Sequence, residues 1–93
     1  MRIISQDGKV DLPYELVSIS THARNSWQVI ARPLTNVDGL FCVMGEYSTE
    51  EKAVKAMEEL RTEYGSYRTV EGNMFYSAFD YPKVFRFPHD SEV

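Results

Sequence analysis

The spacing of apolar positions changes along the chain, from alternation in the first half to a helical period in the second. Residues 16–21 alternate, with Val17, Ile19 and Thr21 on one side and serines between them. A period of two is typical of a strand buried on one face. Between residues 49 and 64 the apolar side chains recur every three or four positions, as in an amphipathic helix. The pattern predicts an α+β protein in which an antiparallel β-sheet of about five to seven strands carries one helix, about 49–64.

A hairpin is predicted at the start of the chain. Asp7-Gly8 is a dipeptide suited to a tight two-residue turn, because both positions tolerate positive φ angles. Pro13 then ends the second strand, since proline donates no ladder hydrogen bond. The cross-strand pairs expected from this turn are Ile3 with Leu12 and Ser5 with Val10.

Two further strands are predicted over residues 27–32 and 40–47. The second of them is apolar on both faces. A strand of this kind is covered on both sides, so we expect residues 40–47 to lie in the centre of the sheet.

The start and the end of the helix both carry sequence signals. Ser48 and Glu51 have the spacing of a capping box, in which each side chain accepts the other residue's backbone N–H. Glu50 adds negative charge where the helix dipole favours it. Gly65 is the expected stop, because glycine adopts the left-handed conformation that ends many helices.

Beyond this helix, residues 67–71 and 74–79 are predicted to form a hairpin around Gly72-Asn73. Residues 84–87 are the expected last strand. Residues 1–88 are then one domain, and residues 89–93 a flexible tail.

Composition restricts the function classes. The 93 residues carry a net charge of −4, which disfavours direct nucleic-acid binding, because a nucleic-acid binder needs a basic surface. Cys42 is the only cysteine, so no internal disulfide can form, and the absence of a leader-like or membrane-spanning apolar run leads us to expect a cytoplasmic protein. A core of this size is small, and homo-oligomerisation would add to its stability.

The residues for catalysis or metal binding are few. Cys42 lies in the most apolar strand, where an inert thiol is expected. His22 and His89 have no spacing that ties them to a nucleophile, and both are expected at the surface. We therefore predict no catalytic residue, no metal site and no cofactor.

One segment has the composition of a contact surface. Of the twelve aromatic residues, eight fall between residues 64 and 87, with basic residues among them. Tyrosine and arginine dominate interface energetics and stack on planar ligands. We expect the phenylalanines here (Phe75, Phe79, Phe85 and Phe87) to complete the core. The residues predicted to bind a partner or ligand are Tyr67, Arg68, Tyr76, Tyr81, Lys83 and Arg86.

Three segments carry a resemblance to known proteins: residues 1–8 (MRIISQDG), residues 45–53 (GEYSTEEKA) and residues 85–88 (FRFP). Together they resemble a group of small proteins of Gram-positive gut bacteria and of their phages and prophages. The resemblance implies a mobile-element context and supplies no catalytic or binding residues. Small proteins of this context often act on host proteins, and the resemblance thus implies an inhibitor of host defence, of the anti-CRISPR type, in the host-cell cytoplasm.

The sequence therefore favours a non-enzymatic binding protein whose partner is a host protein. An oligomer that binds a nucleotide-like ligand through Arg68, Arg86 and neighbouring tyrosines is the alternative. A small enzyme is a further alternative, and it would need a histidine to meet Cys42 or a carboxylate.

Overall fold

Two three-stranded β-sheets and one long helix make up the part of the chain that the structure describes. The computed structural model describes residues 1–35, 39–72 and 83–93, leaving aside the side chains of residues 66–72. The α+β prediction is confirmed, but within these residues the six strands divide between two sheets and not one. The elements are β1 (Arg2–Ile4), β2 (Asp11–Pro13), β3 (Val17–Thr21), β4 (Gln28–Pro33), β5 (Cys42–Glu46), α1 (Glu50–Gly72), β6 (Val84–Arg86) and 3-10 turns at Tyr14–Leu16 and Asp90–Glu92.

The N-terminal hairpin has the predicted register. Ile3 pairs with Leu12, and the Ser5 N–H donates to the Val10 carbonyl at 2.8 Å. The turn itself lies one residue earlier than predicted, because the Gly8 N–H donates to the Ser5 carbonyl at 2.9 Å. Gly8 follows that turn with a φ of 77°, within the four-residue loop (6–9) that the Ser5–Val10 pair closes.

The first sheet has the order β2-β1-β6, and its second pairing is parallel. Ile3 of β1 lies opposite Phe85 of β6. The prediction of an antiparallel sheet is wrong here. A parallel pair needs a long crossover, and most of the chain, including α1, connects these two strands.

The second sheet has the order β3-β4-β5, so β4 is the central strand and β5 lies at an edge. The predicted central position of residues 40–47 is therefore wrong. Three consecutive residues of β4, Val29 to Ala31, are at most 1% exposed, which fits a strand covered on both faces. Met44 is the extra residue of a β-bulge between β4 and β5.

Gln6 joins the two sheets. Its backbone N–H donates to the Met44 carbonyl at 2.6 Å, and its side-chain oxygen accepts the Glu46 N–H at 3.1 Å. Its side-chain nitrogen donates to the Pro88 carbonyl at 3.1 Å. The end of β1 is thus tied to β5 and to the C-terminal segment by one side chain.

The helix starts with a different cap from the predicted one. The Thr49 hydroxyl accepts the Lys52 N–H at 3.2 Å, so Thr49 is the N-cap and Ser48 precedes it. The Ser48 N–H instead donates to the Asp90 carboxylate at 2.8 Å. A carboxylate from the far end of the chain takes part in the cap, which is why local spacing did not reveal it.

The helix also continues past its predicted end, to Gly72. Gly65 is not in the left-handed region, and a helix passes through an interior glycine at a cost of only about 1 kcal/mol. Residues 67–71, predicted as a strand, are therefore helical. The partner strand predicted over 74–79 lies outside the described residues.

The core lies between α1 and the two sheets. Phe85 and Phe87 belong to it, as predicted, and their rings meet edge to face with centroids 5.2 Å apart. Phe75 and Phe79, predicted to join them, lie outside the described residues. No helix in the described part of the chain is long and apolar enough to cross a membrane. The buried core residues are Ile3, Val29, Ala31, Met44, Tyr47, Ala53, Ala56, Leu60, Phe85 and Phe87.

The C-terminal segment, predicted to be a flexible tail, makes specific contacts. Asp90 accepts from Ser48 and forms an ion pair with Lys52, with 3.5 Å between the Lys52 Nζ and an Asp90 Oδ atom. Val93 packs against the core. These long-range contacts join the segment to the start of α1 and to the core.

Candidate functional site

The second sheet has one face against α1 and one face turned away from it, which we call the outer face. Val17, Ile19 and Cys42 pack on the core side. By strand alternation, their neighbours in sequence lie on the other side. The outer-face residues are Leu16, Ser18, Ser20 and His22 on the β3 side, Gln28, Ile30, Arg32 and Leu34 along β4, and Phe41, Val43 and Glu46 along β5.

Strand register places these residues in rows across the outer face. Ile30 is in the middle row, between Ser20 and Val43. Arg32 lies opposite Ser18 in the next row. At one end, the Leu34 N–H donates to the Leu16 carbonyl at 3.1 Å, which brings these two leucines side by side.

At the other end of the outer face the row is polar. Gln28 pairs with Glu46, and the Gln28 side-chain nitrogen donates to the Glu46 carboxylate at 3.1 Å. His22 joins the same row, because its backbone N–H donates to the Gln28 carbonyl at 3.0 Å. The outer face therefore runs from an apolar end to a polar end.

Ile30 forms the buried centre of the outer face. It is 0% exposed, although it does not belong to the core cluster beneath α1. The rings of His22 and Phe41 approach each other on this side, with centroids 5.3 Å apart. The outer face thus has a small hydrophobic layer of its own, separate from the main core.

The position of the His22 ring is fixed by the turn that follows it. Its Nδ1 accepts the backbone N–H groups of Arg24 and Asn25, both at 3.1 Å. A nitrogen that accepts two hydrogen bonds carries no proton, so the neutral ring holds its proton on Nε2. His22 therefore orders the β3–β4 connection and positions one side of the aromatic pair.

Around Ile30 the outer face exposes large apolar side chains. Leu16 is 63% exposed, Leu34 62%, Val43 39% and Phe41 37%. Several large apolar side chains exposed on one face of a sheet mark an interaction site more often than single scattered apolar residues do. Arg32, also exposed, places a positive charge among them.

Of the six predicted binding residues, the structure describes the side chains of Lys83 and Arg86. Tyr67 and Arg68 are in the second half of α1, where the structure does not describe side chains, and Tyr76 and Tyr81 lie outside the described residues. Lys83 forms an ion pair with Glu63 at 2.8 Å. Arg86 lies on β6 with its guanidinium against the Gly8 turn. The structure therefore places Lys83 and Arg86 near the first sheet and not on the outer face.

The catalytic candidates are not brought together. Cys42 is half-buried and packs against the core. The His22 ring accepts a backbone N–H from the turn that follows it, and the His89 backbone N–H donates to Glu92 at 2.8 Å. Within residues 1–35, 39–72 and 83–93, no group of three or more His, Cys, Asp or Glu side chains is arranged to hold a metal ion.

Among the described residues, Tyr47 has the most strongly shifted pKa, and the groups around it stabilise the fold. Burial raises the pKa of its hydroxyl well above the usual value, and the negative charges of Glu59, Asp90 and Glu92 add to the effect. The hydroxyl donates to the Pro88 carbonyl at 2.9 Å. This group is a neutral hydrogen-bond donor at any physiological pH.

Two carboxylates have pKa values below the usual range, because backbone and hydroxyl groups donate to them. The Ser5 hydroxyl donates to Asp7 and lowers its pKa most, and the Lys9 N–H adds to this. The Ser48 N–H is the largest cause for Asp90. Both groups stabilise turns, and neither has the raised pKa of a general acid.

A shallow groove of about 220 Å³ lies between β3 and α1. Ile19, Met57 and Arg61 are among the residues that line it. One wall is Tyr14, whose ring packs edge-on against Tyr64 at 4.6 Å between centroids. The groove is smaller than the usual range of ligand pockets, about 300–1,000 Å³.

No family model, curated protein or solved structure matched the chain. Among the described residues, the outer face is the surface whose composition and geometry are best suited to a function. The sequence pattern showed Ser18 and Ser20 on one side of β3. It gave no sign that Leu16, Leu34 and Phe41 would flank them, because that depends on strand order.

Proposed function

We propose that this protein is a non-enzymatic binding protein and that the outer face is the surface with which it contacts a partner protein. The single observation that carries the proposal is the group of large apolar side chains (Leu16, Leu34, Phe41 and Val43) exposed on the side of the sheet away from α1. Exposed apolar side chains of this size gain about 25 cal/mol for each Å² removed from water.

The composition of the outer face defines the chemistry of the partner. The apolar end, with Leu16 and Leu34, fits an apolar protein surface. Arg32 lies beside it and, within the described part of the chain, forms no ion pair. A carboxylate on the partner would pair with this guanidinium in a partly desolvated setting. We therefore expect a partner surface that is apolar with an acidic residue.

The biological context of the proposal comes from the resemblance to small proteins of Gram-positive gut bacteria and their phages. In that context the partner is a host protein in the cytoplasm, and binding inhibits a host defence of the kind that anti-CRISPR proteins block. The proposal places the contact on the outer face and not at Lys83, because Lys83 already pairs with Glu63.

The proposal is tested with two matched variants. Leu34→Glu places a charge on the exposed apolar end, and Val54→Glu places the same charge on an exposed position of α1. The wild type, immobilised, is used to isolate a partner from a Gram-positive host lysate, and the identified partner is then produced in pure form. Its affinity for each variant is measured by calorimetry.

We expect Leu34→Glu to weaken the affinity at least tenfold and Val54→Glu to leave it unchanged. Both variants should keep the wild-type melting temperature, since both positions are exposed. Equal affinity of both variants would show that the outer face is not the contact surface. A measurable turnover of a small-molecule substrate by the purified protein would overturn the non-enzymatic proposal as a whole.

A further inference from the structure

We infer that a second copy of this chain covers the outer face in the free protein, with the two sheets packed face to face and their strands running in opposite directions. The inference rests on the proposed function, since it assigns a partner to the same surface. A host protein would then compete with the second copy for this face.

The charges of the outer face are arranged symmetrically about Ile30. Arg32 lies two residues along β4 on one side of it. Gln28 lies two residues on the other side, paired with Glu46 of β5. The positive and the negative group are thus equally far from the buried centre, in opposite directions along the strands.

This arrangement is self-complementary for one orientation of the copies. Consider a two-fold axis that lies in the interface above Ile30 and is perpendicular to the strands. This axis places Arg32 of each copy near Glu46 of the other. An axis parallel to the strands would place the two Arg32 guanidinium groups against each other. Like charges at an interface are unfavourable, so the first orientation is selected.

In this orientation the end of the outer face with Leu16 and Leu34 lies over the polar row of the other copy, where Gln28 pairs with Glu46. The two Arg32–Glu46 pairs, and not apolar burial, therefore fix the orientation.

The size of the face sets the strength of the contact. Three strands about 4.8 Å apart and five residues long cover roughly 15 × 17 Å in projection. That is below the roughly 800 Å² per partner of a standard interface, so the dimer is weak and concentration-dependent. We expect it to form at roughly 0.1–1 mM protein, which leaves it open to displacement by a tighter partner.

The test is a charge-reversal series measured by sedimentation velocity over a concentration range up to about 1 mM. The variants are Arg32→Glu, Glu46→Arg and the double variant with both changes. Lys55→Glu, an exposed reversal on α1, is the control. Each single reversal should raise the dissociation constant at least tenfold, because it sets like charges against each other. The double variant should restore dimerisation, and the control should behave as wild type.

A wild type that stays monomeric over this range overturns the inference, as does a dimer that the single reversals do not weaken or the double variant does not restore. The proposed function fails separately. If the wild type is monomeric but Leu34→Glu still weakens the affinity for the purified host partner, only the proposal of a dimer is wrong. If outer-face variants change neither dimerisation nor partner affinity, both proposals are wrong.

Discussion

Replacing Gly65 by alanine tests where α1 ends. The sequence predicts a stop at this glycine, whereas the structure continues the helix to Gly72. The two alternatives require opposite backbone conformations at the same residue. In a continuing helix alanine is preferred over glycine, and at a left-handed helix stop glycine is preferred over alanine. The sign of the stability change therefore distinguishes them.

The magnitude follows from the surroundings of Gly65. It is exposed, its φ is not positive, and a Cβ added to it would have no atom within 4 Å outside its own helix and chain neighbours. Only the helix propensity then changes, by about 0.5–1 kcal/mol in favour of alanine. In a domain of this size 1 kcal/mol corresponds to about 4–8 °C, so we expect the melting temperature to rise by about 2–8 °C.

Two further variants calibrate the measurement. Gly39 has a φ of 72° and equally open surroundings, so Gly39→Ala measures the cost of alanine in the left-handed region alone, about 1–2 kcal/mol. Thr62→Ala lies within the helix under either alternative and should stabilise by a few tenths of a kcal/mol. All three are compared with wild type by urea unfolding followed by circular dichroism. A loss of stability in Gly65→Ala that matches Gly39→Ala would refute the longer helix.

The remaining predictions concern the region where the chain's end meets β5 and α1. Gly45→Ala should lower the free energy of unfolding by about 1–3 kcal/mol in urea titrations, because its Cβ would lie 2.8 Å from the buried Tyr47 ring; an unchanged midpoint would contradict this packing. Tyr47→Phe removes the hydrogen bond to Pro88 and should cost about 1 kcal/mol in the same assay, and no loss would mean that the bond does not form in solution. The pKa of Asp90 is lowered in the folded state by the Ser48 N–H, so its contribution is present above the unfolded value near 3.9 and is lost as the pH falls through the folded value. Stability measured from pH 5 to 2 should therefore fall less steeply in Asp90→Asn than in wild type, and identical slopes would exclude this contribution.

The features that the sequence predicts correctly are the local ones. The register of the first hairpin, the strands before α1 and the position of the helix start within one residue all depend on neighbours in the chain. The failures depend on residues far apart. Asp90 accepts the Ser48 N–H that the predicted capping box assigns to Glu51, and β6 adds a parallel strand to β1. Periodicity contains no information about such partners.

The candidate site illustrates the same limit. The sequence predicts a central position for the apolar strand at residues 40–47, because both of its faces are apolar. In the structure this strand lies at an edge of the sheet, and the side chains of Phe41 and Val43 are therefore exposed. Alternation indicates which residues share a face of one strand, but only strand order reveals that Leu16 and Leu34 are neighbours. The predicted surface rested on composition alone, which does not specify position.

The parallel pairing of β1 with β6 has a consequence for how the chain folds during synthesis. Ile3 is synthesised long before Phe85, which lies opposite it. The first sheet can therefore be completed only after β6 has been synthesised, and closing so long a loop is slow compared with forming the local hairpin. Until then, one edge of β1 and the apolar side chain of Ile3 have no native cover, and the nascent chain depends on β6 to conceal them.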